Sequence, residues 1–329
     1  MIKLKDIKVS TFTRFSTNAF LAITPEYWKL RKIQKKNQAS EPSFTEPEKM
    51  SLSYEVIDGV KVRYAHEGEK DKPCIVLLNP LPQSIIAFAP IWRKLVSKYN
   101  VYAYDLPGFG MSEGGIEYMT FQKQGEFLDK FIKHFKIKKP HIVGPDIGMA
   151  AALYYASNIP NDIESLIIGD GPGVSPSING SIINKLVNSA FWRKAFSILG
   201  SKIFVFAGAN VGYVNYYPNQ IEINDYIASY KNRVGTVTEW FKNYPEGLSA
   251  IDNKVEEIDA PVLIFWGDQD TFLLPENTNN LSERLKSNKV VIFEHCGHFS
   301  YQDKHEAFCE MIESWISVEY IICDLNNAK

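Results

Sequence analysis

The chain has 329 residues, 45% hydrophobic and 22% charged, the composition of a globular protein with one large or two ordinary domains and a sizeable core. Its 36 Lys+Arg against 38 Asp+Glu give a formal charge of −2, so there is no basic field for a nucleic-acid backbone. Four scattered cysteines without C-x-x-C or zinc-ligand spacing exclude a disulfide scaffold and a structural zinc site, and no apolar run is long enough for a membrane span; a cytoplasmic protein without metal or cofactor is expected.

Residues 1–49 stand apart. Nine Lys/Arg face two acids in the first 36 positions, and a Ser/Pro/Glu-rich stretch follows as a linker. This reads as a basic arm packed on the domain surface, with a transit peptide or a membrane-surface segment as the alternatives. From Met50 the chain alternates strand and helix signals. Two β runs, Tyr54 to Ile57 and Val60 to Tyr64, flank the hairpin dipeptide Asp58-Gly59. Short apolar runs follow at Cys74–Leu78, Val101–Tyr104, His141–Val143, Leu166–Ile168, Val262–Phe265 and Val290–Phe293. Between them lie helix-length segments: Ser84–Lys98, Thr120–Phe135, Ile147–Ser157, Asn277–Leu285 and Lys304–Ile316. Runs too apolar to alternate, spaced by helices, imply an α/β fold with a mainly parallel sheet covered on both faces.

The gap from Ile168 to Pro261 is too long for one crossover and is rich in aromatic residues, so residues 172–255 read as a helical cap. The core is then 50–171 and 256–318, and 319–329 is a tail.

Ligands of open α/β sheets bind beyond the carboxyl ends of the strands. Three strand ends stand out. Gly144-Pro-Asp146-Ile-Gly148 has the form of a nucleophile elbow, with Asp where Ser is commoner. Phe265-Trp-Gly-Asp-Gln-Asp270 supplies an acid, Asp270, with Asp268 as the weaker candidate. Glu294-His-Cys-Gly-His298 supplies a histidine after the last strand. Nucleophile, acid, histidine is the chain order of a hydrolase triad on this type of sheet.

These motifs, with Tyr104-Asp-Leu-Pro-Gly-Phe-Gly-Met-Ser112, resemble the aspartate-nucleophile branch of the α/β-hydrolases, which contains epoxide hydrolases and haloalkane dehalogenases. The resemblance covers residues 50 to 318. It implies a nucleophile at Asp146, an acid at Asp270, a general base at His298, and oxyanion-hole N–H groups at Leu81 and Ile147. A carboxylate suits displacement at a saturated carbon, because the product is an ordinary ester that a His-activated water can hydrolyse.

The chain departs from the family in several places. Asn79-Pro-Leu-Pro82 stands where His-Gly-x-Pro is usual, and the halide-binding Trp and Asn of dehalogenases are replaced by Ile147 and Leu81. Asn79 could serve as that Asn only if the loop slipped by two residues. Glu239-Trp240-Phe241-Lys242 resembles the epoxide-hydrolase cap motif with Phe in place of the phenol, so Tyr244 or one of Tyr213, Tyr216 and Tyr217 would have to be the proton donor. The candidate substrate-binding residues are therefore Asn79, Trp240, Tyr213, Tyr217 and Tyr244. The expected partners are a small, mostly apolar organic substrate and water, for a monomer or homodimer. A dehalogenase, a carbonyl-directed esterase or lyase, and a non-catalytic ligand-binding scaffold are the alternatives.

Overall fold

The computed structural model describes residues 8–23, 28, 32, 50–178, 181, 183–216 and 218–317. Eight strands form one sheet: β1 (Leu52–Ile57), β2 (Val60–Glu67), β3 (Cys74–Leu78), β4 (Asn100–Tyr104), β5 (His141–Pro145), β6 (Ser165–Gly169), β7 (Val262–Gly267) and β8 (Asn288–Phe293). Their order is β1-β2-β4-β3-β5-β6-β7-β8. Only β1 with β2 and β2 with β4 pair antiparallel. The first pair is the expected hairpin, with Asp58 and Gly59 at φ of 49° and 80°, as a two-residue turn of this kind needs.

Every residue of β3, β4, β5, β6 and β7 is buried. Successive side chains point to opposite faces of a strand, so this pattern requires cover on both faces. The helices among the described residues are α1 (Thr11–Ala22), α2 (Ala89–Val96), α3 (Phe121–His134), α4 (Ile147–Asn158), α5 (Ile183–Asn188), α6 (Ala190–Ile198), α7 (Gly200–Gly212), α8 (Gln220–Ser229), α9 (Val234–Lys242), α10 (Tyr244–Asp252), α11 (Asn277–Ser282), α12 (Ser300–Asp303) and α13 (His305–Ser317). The hydroxyl of Thr120 caps α3 by accepting from the Lys123 N–H. Among the described residues six helices, α5 to α10, lie in sequence between β6 and β7.

Candidate active site

The β5–α4 junction positions Asp146. Its backbone sits at φ 50° and ψ −122°, a conformation that costs a non-glycine residue about 1–3 kcal/mol. So sharp a turn brings strand and helix backbones together. A Cβ on Gly144 would lie 2.6 Å from the Gly148 carbonyl oxygen, and one on Gly148 would lie 2.8 Å from the Leu78 Cβ. Both glycines are thus required by close approach, and the strained residue between them is lifted out of the sheet.

The Asp146 carboxylate is held at both oxygens. The Leu81 N–H donates to Oδ2 at 2.6 Å, and Oδ1 lies 3.3 Å from His298 Nε2. The other ring nitrogen of His298, Nδ1, is 2.8 Å from Asp270 Oδ2. Asp270 Oδ1 in turn accepts from the N–H groups of Phe272 (2.7 Å) and Leu273 (3.1 Å). All three side chains are buried. They stand after β5, β7 and β8, at the carboxyl ends of their strands, and form one unbroken relay.

Burial alone would lower the His298 pKa, but the Asp270 and Asp146 carboxylates outweigh it and push the imidazole up to about 10. The two carboxylates thus favour the protonated imidazole. Its proton is available to a group that develops negative charge.

The relay faces a cavity of about 290 Å³ whose lining is almost wholly apolar. Asp146, His298, Leu81 and Ile147 form its floor, and Trp240, Phe241 and Tyr244 contribute from the inserted helices. A model of the alpha/beta hydrolase fold matches residues 73–304, well over half of the chain. The chain belongs to the alpha/beta hydrolase fold family.

Similar proteins span several chemistries. A proline iminopeptidase of Lactobacillus helveticus is 25% identical over 280 residues, covering 78% of this chain and 95% of the relative. A haloalkane dehalogenase structure from Bradyrhizobium elkani superposes with a TM-score of 0.71 at 19% identity, over 82% of this chain and 98% of that one. The epoxide hydrolase CorEH superposes with a TM-score of 0.63 at 19% identity, over 82% and 100%. Structural likeness at such identities establishes the alpha/beta hydrolase fold and leaves the reaction to the site.

Within this alpha/beta hydrolase the sequence-derived candidates fall into three groups. Asp146, Asp270, His298, Leu81, Ile147, Trp240 and Tyr244 converge on the cavity or the relay behind it. Asn79 and Tyr213 do not, contrary to the expectation from sequence. Asn79 is fully buried: its Oδ1 accepts from the Leu106 N–H at 2.7 Å and its Nδ2 donates to the Pro80 carbonyl at 3.0 Å. It clamps the loop that presents Leu81, and no register slip brings it to the cavity. The Tyr213 phenol is engaged by Gln83 and Gln302 in a buried polar network outside the cavity lining. Tyr217 lies outside the described residues. Asp268 accepts from the Cys296 N–H at 3.0 Å, which leaves Asp270 to face His298.

Two contributors escaped the sequence reading. Asp170, just after β6, accepts from the Gly267 N–H (3.1 Å) and from the backbone and hydroxyl of Ser300. These bonds tie β7 to the segment following His298, and burial with the Asp270 charge pushes the Asp170 carboxyl well above the usual carboxylate range. The second is the N-terminal arm: Phe20, Leu21 and Ile23 are part of the cavity wall. No signal in a basic, linker-tethered segment announces that.

Proposed function

We propose that this hydrolase opens epoxides through an ester on Asp146, with residues 172–255 acting as the cap. The observation that carries the reading is the environment of the Asp146 carboxylate. Oδ2 already occupies an N–H site at Leu81, while Oδ1 faces His298 beneath an apolar cavity. Oδ1 attacks a ring carbon, the carbon–oxygen bond breaks, and its electron pair stays on the departing oxygen. Oδ2 becomes the ester carbonyl oxygen inside the donor pair of Leu81 and Ile147.

The departing alkoxide needs a proton where water is scarce. Among the described tyrosines, only Tyr244 is part of the cavity lining. Its hydroxyl lies 3.2 Å from Ser177 Oγ, and burial raises its pKa, so it enters the reaction protonated. Tyr244 donates, and the imidazolium of His298 supplies the replacement proton once Asp146 is an ester and no longer stabilises it. Neutral His298 then takes a proton from water, the hydroxide adds to the ester carbon, and the oxyanion forms on Oδ2. Collapse releases a diol and restores the carboxylate beside an imidazolium. One water is consumed per epoxide.

Dehalogenation is the second reading, favoured by the Trp240 indole in the lining. It is weaker because Asn79 is committed to Leu106 and Pro80. Incubating His298→Gln with epoxides and with haloalkanes, followed by peptide mass mapping, separates these readings. An adduct of full epoxide mass on the Asp146 peptide is expected. An adduct formed only from haloalkanes selects dehalogenation. No adduct from either, with ester cleavage retained by the wild type, would overturn the alkyl-ester mechanism.

A further inference from the structure

The four most exposed large apolar side chains among the described residues are Phe12 (75%), Ile198 (73%), Phe15 (72%) and Phe191 (72%). All four belong to α1 and α6. The two helices approach each other through Phe20 and Phe196, whose ring centroids are 6.3 Å apart. The amphipathicity of α1 is inverted. It buries Thr13, Thr17 and Leu21, spaced four residues apart, and turns Phe12, Phe15, Ala19 and Ala22 outward. A helix selected only for packing against a core in water does the reverse. The helix is also fixed in place: the Ser10 hydroxyl caps it, and the Lys8 N–H donates to Gln220 Oε1 at 2.8 Å.

This apolar surface adjoins the cavity. Ile23, just beyond α1, and Trp192, on α6, are both exposed and both part of the cavity lining. The two chain segments that build it carry charges of one sign. From Ile7 to Pro25 and from Gly171 to Ile221 the chain has no Asp or Glu, yet carries Lys8, Arg14, Lys185, Arg193, Lys194 and Lys202. With 38 acids in a chain of net charge −2, such a clearing is a local feature. Among the described residues no single helix is long and apolar enough to cross a membrane; α6 and α7 together would be, but they are bent by 112°.

We propose that the collar formed by α1 and α6 docks on the surface of an anionic lipid bilayer, with its aromatic residues in the headgroup layer and the cavity mouth against the acyl chains. Exposed Phe and Trp beside Lys and Arg is the composition of a surface that lies in a membrane interface, and the missing acids remove repulsion from anionic headgroups. A second copy of the chain is a poorer occupant, because pairing two such collars opposes like charges. The inference does not depend on the reaction proposed above.

Flotation of the full chain with vesicles tests it. The protein should float with phosphatidylcholine vesicles containing roughly one-third phosphatidylglycerol, and bind about tenfold more weakly to phosphatidylcholine alone. Phe15→Glu and Phe191→Glu should each weaken binding by about tenfold or more while circular dichroism and melting stay native, since both side chains are largely in water already. Lys194→Glu with Lys202→Glu should abolish the preference for anionic vesicles. A wild type that stays with the soluble fraction overturns the proposal, as does flotation indifferent to all these substitutions. So does a dimer in sedimentation that Phe15→Glu dissociates without any vesicle binding.

Discussion

Arg63 of β2 grips Asp225 of α8 with both terminal nitrogens of its guanidinium, at 2.7 and 3.1 Å, while its Nε donates to Asp105 at 2.6 Å. One buried cation thus fastens an inserted helix to the antiparallel side of the sheet and to the loop after β4. Removing one partner of a buried pair leaves a desolvated charge, which costs more than the pair was worth. Asp225→Ala should destabilise the protein by about 3 kcal/mol, the low end of that range because Asp105 still neutralises the cation. Urea denaturation measures it; a loss below about 1 kcal/mol, the value of an exposed pair, would contradict the tie.

His298 should respond to the charge of its neighbour. Asp146→Asn removes one of the two carboxylates that raise the imidazole to about 10, so its pKa should fall in the variant. Histidine NMR titration reads this directly. The stability effect has a definite sign. A raised imidazole pKa stabilises fully below its ordinary 6.5 and loses that contribution as pH climbs through about 10. The loss starts in both proteins as pH passes 6.5, but it should be smaller and complete at lower pH in Asp146→Asn; identical alkaline melting curves would refute the coupling.

Tyr244→Phe tests the proton donor. It should slow ester formation from an epoxide by about 100-fold or more, the usual range for a lost general acid. Hydrolysis of the ester already formed should be nearly unchanged, because that step uses His298 and water. Rapid-quench single turnovers separate the two rates; equal slowing of both would assign Tyr244 a packing role.

Glu222, in the first turn of α8, accepts from Tyr216, Asn219 and Gln302, yet burial dominates and raises its carboxyl to about 7. The native state then binds its proton more tightly than the unfolded chain does. Ionisation erodes stability as pH rises from 4.5 to about 7, and the loss is complete above that. Glu222→Gln retains an oxygen acceptor without the charge. Its melting temperature relative to the wild type should rise between about pH 5 and about pH 8. A constant difference would show that the carboxylate is already ionised at pH 5.

The strands were legible because β3 to β7 are buried on both faces, which makes them unbroken apolar runs between turn residues. The bend at Asp146 was legible from its two glycines, and the positions of Asp270 and His298 from polar residues placed directly after such runs. Asn79 misled because an amide in a strand-end loop reads equally well as a ligand or as a clamp, and only the N–H of distant Leu106 decides between them. Tyr213 misled for the same reason: whether a phenol meets solvent or Gln83 is settled by packing across 130 residues of chain. The Phe20 and Leu21 contribution was invisible because local sequence does not encode where a tethered helix docks.

The strand order also constrains biosynthesis. β6 ends at Gly169, but its outer neighbour β7 begins only at Val262, after six helices. On the ribosome, the nascent chain must carry a complete strand, buried in the finished fold, with an unpaired edge until that insertion has been made. An exposed edge of this kind is a template for intermolecular pairing. The time spent translating residues 170–261 is thus the aggregation-sensitive interval in making this enzyme. Codon changes that slow elongation within it should lower soluble yield more than the same changes after Phe293, where all eight described strands have been made.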